Sequence, residues 1–135
     1  ISKYNLFEKL ARWKVDWVKE IDEHEKLGDK IEPVAVLEYV TSFHEQDSYD
    51  DTDFYERIMA YEYFEFQMVE LAEIDLARFY TSEDLIEEYV ELYQETGTYP
   101  PPVINEDYEI IDGTHRLNAL YEAGLKEVRC FVGYH

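Results

Sequence analysis

The apolar residues near the start of the chain recur with the 3.6-residue period of an amphipathic helix. This pattern predicts a helix over residues 4–27, and Gly28 then supplies the residue type that commonly ends a helix. The predicted stripe consists of Phe7, Leu10, Lys14, Trp17, Val18 and Ile21, and Leu6 and Trp13 widen it.

Two further helices are predicted before the pattern changes. One begins at Pro33, because proline is tolerated in the first helical position. After a polar loop at residues 44–51, Thr52 or Asp53 can cap the next helix, which runs to about Tyr61. The apolar residues of the first of these helices are Val36, Leu37, Val40 and Phe43.

From Phe64 to Leu71 apolar and polar residues alternate, which is the period of a β-strand. Thr81 or Ser82 then caps a helix that Gly97 ends. The apolar face of that helix is formed by Leu85, Ile86, Tyr89, Leu92 and Tyr93.

The last third of the chain predicts a hairpin, a helix and a final strand. Pro100 to Pro102 interrupt regular structure, and residues 105–107 reverse the chain between two short apolar segments. The predicted elements are strands 103–104 and 108–111, a helix over about 115–123 ended by Gly124, and a strand over 128–132. This order predicts an α+β fold, with a small mixed sheet and packed helices over residues 64–135, preceded by a helical extension over residues 1–63.

The hairpin delivers an Asp-Gly-Thr-His-Arg turn, residues 112–116, to the start of a helix. Gly113 lets the backbone approach a ligand closely, and the first turn of a helix presents N–H groups without intrahelical acceptors. Arg116 in that turn can bind two oxygens at once. These features together suit a phosphate group.

The chain carries 32 acidic and 12 basic residues, a net charge of −20. A negative field of this size repels polyanions, so direct binding of nucleic acid is disfavoured. Solvation of helix faces is one interpretation of the charge. An acidic surface that mimics nucleic acid and binds a protein partner is another.

Apolar content of 46% is sufficient for a folded core. The apolar runs are too short for a membrane span, and no signal-peptide pattern is visible. The single cysteine, Cys130, lies in an apolar run and is predicted to be a buried, inert thiol. These features lead us to expect a cytoplasmic protein.

From about Gln67 to Tyr134 the chain resembles the ParB/sulfiredoxin superfamily. The resemblance rests on the segment 69–76, the helix near 82–96, the proline-rich entry to the hairpin, the Ile110–Arg116 segment and the Gly124 bend before the last strand. Members of this superfamily bind nucleotides with the corresponding turn: ParB proteins bind CTP, and sulfiredoxin and the free-serine kinases bind ATP. The resemblance therefore implies ATP or another NTP, with Mg²⁺, as the ligand.

The resemblance also implies roles for individual residues. Gly113, Thr114, His115 and Arg116 would hold the phosphates, His115 would act in chemistry, and Asp112 would either act in chemistry or hold the turn. Glu83 would be the catalytic base of a phosphotransferase or NTP hydrolase. The residues that bind the metal are not specified by the sequence.

Departures from the superfamily narrow the function. Thr114 stands where sulfiredoxin has its cysteine, so sulfinic-acid repair is not expected. The chain ends at His135 without the DNA-binding part of partition proteins, and its charge is unsuited to DNA, so a partition role is not expected either. A ParB-like nuclease is a further alternative, although the sequence shows no second metal-ligand cluster that would support this chemistry.

Two alternatives to phosphate binding and catalysis are open. The first concerns Arg116, which can pair with Asp112 or Glu109 and simply stabilise the turn. The second concerns the whole protein, which can be an interaction or inhibitor protein that binds a protein partner through its acidic surface or its N-terminal helices, without catalysis.

Overall fold

The computed structural model describes Trp13 and residues 26–43, 51–76 and 81–135. The helix predicted over 4–27 lies outside these residues, except for helical Trp13 and for residues 26–27, which belong to a turn closed by Asp29 N–H to the Lys26 carbonyl. The predicted polar loop also lies outside them, apart from residue 51.

The described part of the chain confirms the α+β fold class. Its elements in chain order are β1 (Lys30–Ile31), α1 (Pro33–Phe43), α2 (Asp51–Met59), β2 (Tyr63–Glu70), a 3₁₀ turn (Leu71–Glu73), α3 (Glu83–Thr96), β3 (Val103–Asn105), β4 (Ile110–Asp112), α4 (Thr114–Glu122) and β5 (Glu127–Tyr134). Among the described elements, the sequence pattern did not predict the short strand β1 or the 3₁₀ turn.

The five described strands form one mixed sheet in the order β1-β2-β5-β3-β4. β2 and β5 are antiparallel over eight residue pairs, from Tyr63 opposite Tyr134 to Glu70 opposite Glu127. β3 runs parallel to β5 and antiparallel to β4. The β3–β4 hairpin therefore brings the residue 112–116 turn beside the middle of β5, where Val103 lies opposite Phe131.

One face of the sheet packs against α3 and α4. Its buried residues include Val69, Cys130 and Val132, and Trp13 joins the same cluster. The Trp13 indole donates a hydrogen bond to the Thr98 carbonyl at 2.8 Å. Cys130 is buried, as predicted, and burial raises the pKa of its thiol to about 12, which disfavours the reactive thiolate.

The opposite face of the sheet packs against the N-terminal helices. Apolar side chains from α1 and α2 form one core with side chains of β2, β3, β4 and β5; its members include Val36, Val40, Ile58, Phe64, Phe66, Val103, Ile111 and Phe131. The extension predicted over residues 1–63 thus contributes an edge strand to the sheet and covers one of its faces. None of the helices in the described ranges has both the length and the apolar run needed to cross a bilayer.

Candidate functional site

Gly113 forms the whole connection between β4 and α4. It is the N-cap of α4 and has φ 104°, in the left-handed region that glycine adopts readily. A Cβ atom at this position would lie 3.0 Å from Pro102 Cβ and 3.1 Å from Arg116 Nη2. Glycine is therefore required here both by the backbone angle and by the space available.

Arg116 is enclosed beneath this turn, with only 6% of its surface exposed. Its Nη2 donates to Asp112 Oδ2 at 2.6 Å, which is a short, charge-assisted pair. Its Nη1 donates to the carbonyls of Pro100 at 3.0 Å and Pro101 at 3.4 Å, and to the Tyr39 hydroxyl at 3.3 Å. The guanidinium thus ties three separate segments of the chain together.

In this structure the Arg116 guanidinium is directed inward, and its contact with phosphate oxygens stays a prediction. Of the two ion pairs that the sequence allows for Arg116, the structure has the one with Asp112. Glu109, the other candidate, accepts a hydrogen bond from the Asn105 side chain. The Asp112 carboxylate, predicted to act in chemistry, is engaged by the same ion pair. Both side chains hold the turn in shape.

The charge on Arg116 is maintained inside the protein. Burial alone works to lower the pKa of Arg116, but the Asp112 carboxylate raises it, and the net shift is upward. For Tyr39 burial has the opposite effect and raises the pKa, so the hydroxyl keeps its proton and can donate a hydrogen bond. An ion pair of this kind leaves a costly uncompensated charge if either partner is removed.

His115 joins the start of α4 to the start of α3. Its Nε2 accepts a hydrogen bond from the Ser82 backbone N–H at 3.0 Å, and Ser82 is the N-cap of α3. The Ser82 hydroxyl accepts from Leu85 N–H at 3.4 Å, which settles the predicted choice between Thr81 and Ser82. The amino ends of two helices therefore meet at His115.

Thr114 and Glu83 lie on either side of this meeting point. Thr114 is the first residue of α4 and is half-buried, while Glu83 is the first residue of α3 and is followed by Asp84. The Thr114 carbonyl accepts from Asn118 Nδ2 at 2.8 Å, and the same amide group donates to the Leu76 carbonyl at 2.8 Å. Across the described ranges, no group of three or more acidic, histidine or cysteine side chains is arranged as a metal site.

Two residues at this site were not singled out from the sequence. Tyr39 lies three residues after Val36 and one before Val40, so the helical spacing places it on the buried face of α1. Asn118 lies four residues after Thr114, a spacing that brings a side chain over the preceding helical turn. A polar residue at a core position of a helix was the available signal in both cases.

The partial burial of His115 makes stability depend on pH. Burial lowers the pKa of His115 from its ordinary value of 6.5, so below that pH the unfolded chain binds a proton that the folded chain resists. The stabilisation is complete above pH 6.5 and is lost as the pH falls through the lowered value. Urea unfolding at pH 7.5 and at pH 5.5 should show this loss.

The matched variants are His115→Gln and His135→Gln, since His135 lies exposed at the other end of the sheet. We expect His115→Gln to reduce the difference in unfolding free energy between the two pH values, and His135→Gln to retain it. A difference that persists in His115→Gln and disappears in His135→Gln would contradict the assignment.

Comparison with known proteins finds a matching family model and solved structures that are similar to part of this chain. The family model described as the ParB N-terminal domain matches residues 56–134, more than half of the chain. A structure of the C2221 form of a Pnob8-like ParB-N domain is 18% identical, with a TM-score of 0.44, and the match covers 53% of this chain and 30% of that chain. A structure of a pNOB8-like ParB N-domain is 21% identical, also with a TM-score of 0.44, over 53% and 28% of the two chains. This chain thus matches less than a third of each, and no curated protein matches it.

Proposed function

Since the chain belongs to the ParB N-terminal domain family, we propose that it binds the phosphates of a nucleoside triphosphate at the turn of residues 112–116. The observation that carries this proposal is the hydrogen bond between Ser82 N–H and His115 Nε2, which holds two helix starts together at the glycine turn. Each helix start adds partial positive charge and outward N–H groups. Two of them at one place favour an anion in a chain that is otherwise strongly acidic.

The proposed phosphate contacts come from the first turn of α4. Gly113 brings the backbone close to the ligand, and the N–H groups of Thr114 and His115 belong to the helical turn that has no intrahelical acceptors. The Thr114 hydroxyl and His115 Nδ1 add side-chain donors, because Nε2 of His115 already accepts from Ser82 and the proton of the neutral ring then lies on Nδ1.

Arg116 has a supporting part in this proposal. Its Nη1 and Nη2 groups donate to Asp112, to two proline carbonyls and to Tyr39, which fixes the backbone that the phosphates would contact. The pair with Asp112 has no net charge, so Arg116 positions the backbone of the turn and adds little positive potential at the proposed phosphate site.

The carboxylates at the start of α3 are compatible with Mg²⁺ bound to the phosphates. Glu83 and Asp84 lie in the first turn of α3, where their carboxylates would oppose a bare triphosphate. Mg²⁺ bound to phosphates commonly needs only one or two carboxylates and retains several waters, so Asp84 would hold it and Glu83 would stay outside its coordination shell. The ion would supply charge neutralisation between the carboxylates and the phosphates. Any phosphotransferase or hydrolase activity would draw its base from Glu83, because Asp112 is engaged by Arg116.

The direct test is calorimetric titration of the protein with Mg-ATP, Mg-CTP and Mg-GTP, with Mg-tripolyphosphate as the minimal ligand and adenosine as the ligand without phosphate. We expect tripolyphosphate to bind with a dissociation constant below about 1 mM and adenosine to give no heat. We expect His115→Ala to weaken binding roughly tenfold, as the loss of one hydrogen bond to a charged group does, and His135→Ala to leave it unchanged. Absence of heat with every phosphate ligand would overturn the proposal.

A second function is favoured by the closed Arg116–Asp112 pair. A turn whose arginine is fully engaged inside the protein can serve structure alone, which suits an interaction protein that uses its acidic surface to bind a basic partner. Under this alternative, tripolyphosphate gives no heat, and an immobilised chain retains a DNA-binding protein in a salt-sensitive manner. His115→Ala would leave that retention unchanged.

A further inference from the structure

We infer that Tyr39 of α1 is a positioning residue for the phosphate-binding turn, through which the N-terminal helices and the ligand stabilise each other. This inference rests on the proposed function and adds to it a residue outside the 56–134 segment that the family model matches. Tyr39 touches no phosphate in this scheme and acts through Arg116 and the proline segment.

The contacts of Tyr39 lead directly to the turn. Tyr39 is 3% exposed, and its hydroxyl donates to the Pro101 carbonyl at 2.5 Å while it accepts from Arg116 Nη1 at 3.3 Å. Its ring packs edge-on against Phe131 of β5, with centroids 5.1 Å apart. The side chain therefore joins α1, the central sheet and the guanidinium beneath the turn.

The proline segment transmits this contact to Gly113. Residues 100–102 have no backbone N–H to donate, so their carbonyls are the groups that fix the segment in place. The Pro101 carbonyl accepts from the Tyr39 hydroxyl and, at 3.4 Å, from Arg116. Pro102 lies directly against the turn, since its Cβ is 3.0 Å from the position that a Cβ at Gly113 would take. The segment that Tyr39 holds is therefore in contact with the turn.

Removal of the Tyr39 hydroxyl would loosen both of these partners. The Pro101 carbonyl would keep only its 3.4 Å bond to Arg116, and one acceptor of the guanidinium would be lost inside the core. The ring of phenylalanine would still pack against Phe131, so the aromatic contact is preserved while the polar one is deleted.

Linkage makes the effect reciprocal. If Tyr39 helps to hold the turn in the conformation that binds phosphate, then phosphate bound at the turn must stabilise the Tyr39 contact by the same free energy. Ligand binding should therefore slow the opening of α1, although the helix lies on the opposite face of the sheet from α4.

The experiment compares wild type, Tyr39→Phe and Tyr55→Phe in the full chain. Tyr55 lies on α2 and is 54% exposed, so Tyr55→Phe deletes a hydroxyl from the same extension outside the core. We expect Tyr39→Phe to weaken Mg-tripolyphosphate binding about fivefold, an effect of the size that a lost hydrogen bond to the Pro101 carbonyl has, and Tyr55→Phe to have no effect. Hydrogen exchange of residues 33–43 should slow when Mg-tripolyphosphate is added to the wild type, and this slowing should be smaller in Tyr39→Phe.

The outcomes separate this inference from the proposed function. If the wild type binds tripolyphosphate, but Tyr39→Phe binds equally well and exchange in residues 33–43 does not respond to ligand, the inference is overturned and the proposed function stands. If the wild type does not bind, both are overturned. If Tyr39→Phe fails to fold, the exchange measurement on the wild type decides, with slowed exchange in α4 as its positive control.

Discussion

Replacement of Arg116 by alanine is expected to lower the free energy of unfolding by about 3–5 kcal/mol, the effect of breaking a buried ion pair from one side. The variant leaves the Asp112 carboxylate without its 2.6 Å partner and deprives the Pro100 carbonyl of its bond to the guanidinium. It also opens a cavity under Gly113, since the side chain is almost completely buried. Urea unfolding monitored by tryptophan fluorescence measures the loss.

Arg57→Ala is the matched control for this prediction. Arg57 is exposed and its Nη2 lies 3.5 Å from the Ile110 carbonyl of the same hairpin, so its loss is expected to change stability by less than about 0.5 kcal/mol. Asp112→Ala should be strongly destabilising as well, and the double variant should be less destabilised than the sum of the two single variants. Additive losses would show that the ion pair does not provide the stabilisation.

This prediction changes how a binding defect in Arg116→Ala should be interpreted. A guanidinium that frames the turn and one that contacts phosphate would both lose ligand on truncation, so binding alone does not separate them. The unfolding measurement does, because an arginine that only reaches out to a ligand contributes little to the stability of the free protein. His115 is the better position for testing ligand contact, since it lies half-buried at the outer side of the turn.

Gly113→Ala is expected to abolish tripolyphosphate binding and to lower the free energy of unfolding by about 2–3 kcal/mol. The backbone angle of 104° is unfavourable for any residue with a Cβ atom, and that atom would also meet Pro102 Cβ at 3.0 Å. The turn must shift to relieve the contact, and the N–H groups at the start of α4 would shift with it. Calorimetry with Mg-tripolyphosphate and urea unfolding together check the result.

Gly97→Ala separates the two causes of this effect. Gly97 ends α3 with a φ of 70°, and no atom lies within 4 Å of the position that a Cβ would take. Its replacement should therefore show the backbone effect alone, about 1–2 kcal/mol, and leave ligand binding intact. Equal losses of stability in both variants, with binding preserved in Gly113→Ala, would contradict the role assigned to the turn.

Much of the fold could be predicted because the chain marks its own element ends. Ser82 caps α3, Gly97 ends it, and the Asn105 side chain closes the reversal of the hairpin by accepting from two backbone N–H groups. These are local signals, carried by side chains that bond within a few residues of themselves. Such signals can therefore be recognised in a single sequence without any knowledge of the tertiary structure.

The strand β1 and the packing of the N-terminal helices could not be predicted in the same way. β1 consists of two residues, too few for any alternation to be visible, and it exists because Lys30 and Ile31 meet Glu65 and Phe64 across the edge of β2. The apolar residues of α1 predicted a buried face, but most of the sheet that covers this face is formed by strands much later in the chain. Helical periodicity says which face is buried and not what buries it.

The contacts of Arg116 at the candidate site could not be predicted from the sequence either. Its charge, its place in the first turn and the glycine before it favoured an anion contact, and Asp112 four residues earlier favoured a pair. What decides between them is the enclosure formed by the Pro100 carbonyl and the Tyr39 hydroxyl, which approach from distant positions in the chain. No spacing within residues 112–116 contains that information.

The shared core beneath the sheet bears on where this protein can be divided. Val36 and Ile58 pack with Phe64, Phe66 and Phe131 as members of one cluster, so a chain shortened to the segment that the family model matches would lose α1 and leave aromatic residues facing water. Such a fragment would be prone to self-association, and its behaviour would say little about the intact molecule. A truncated chain that keeps both layers intact would retain the residues from Trp13 onward.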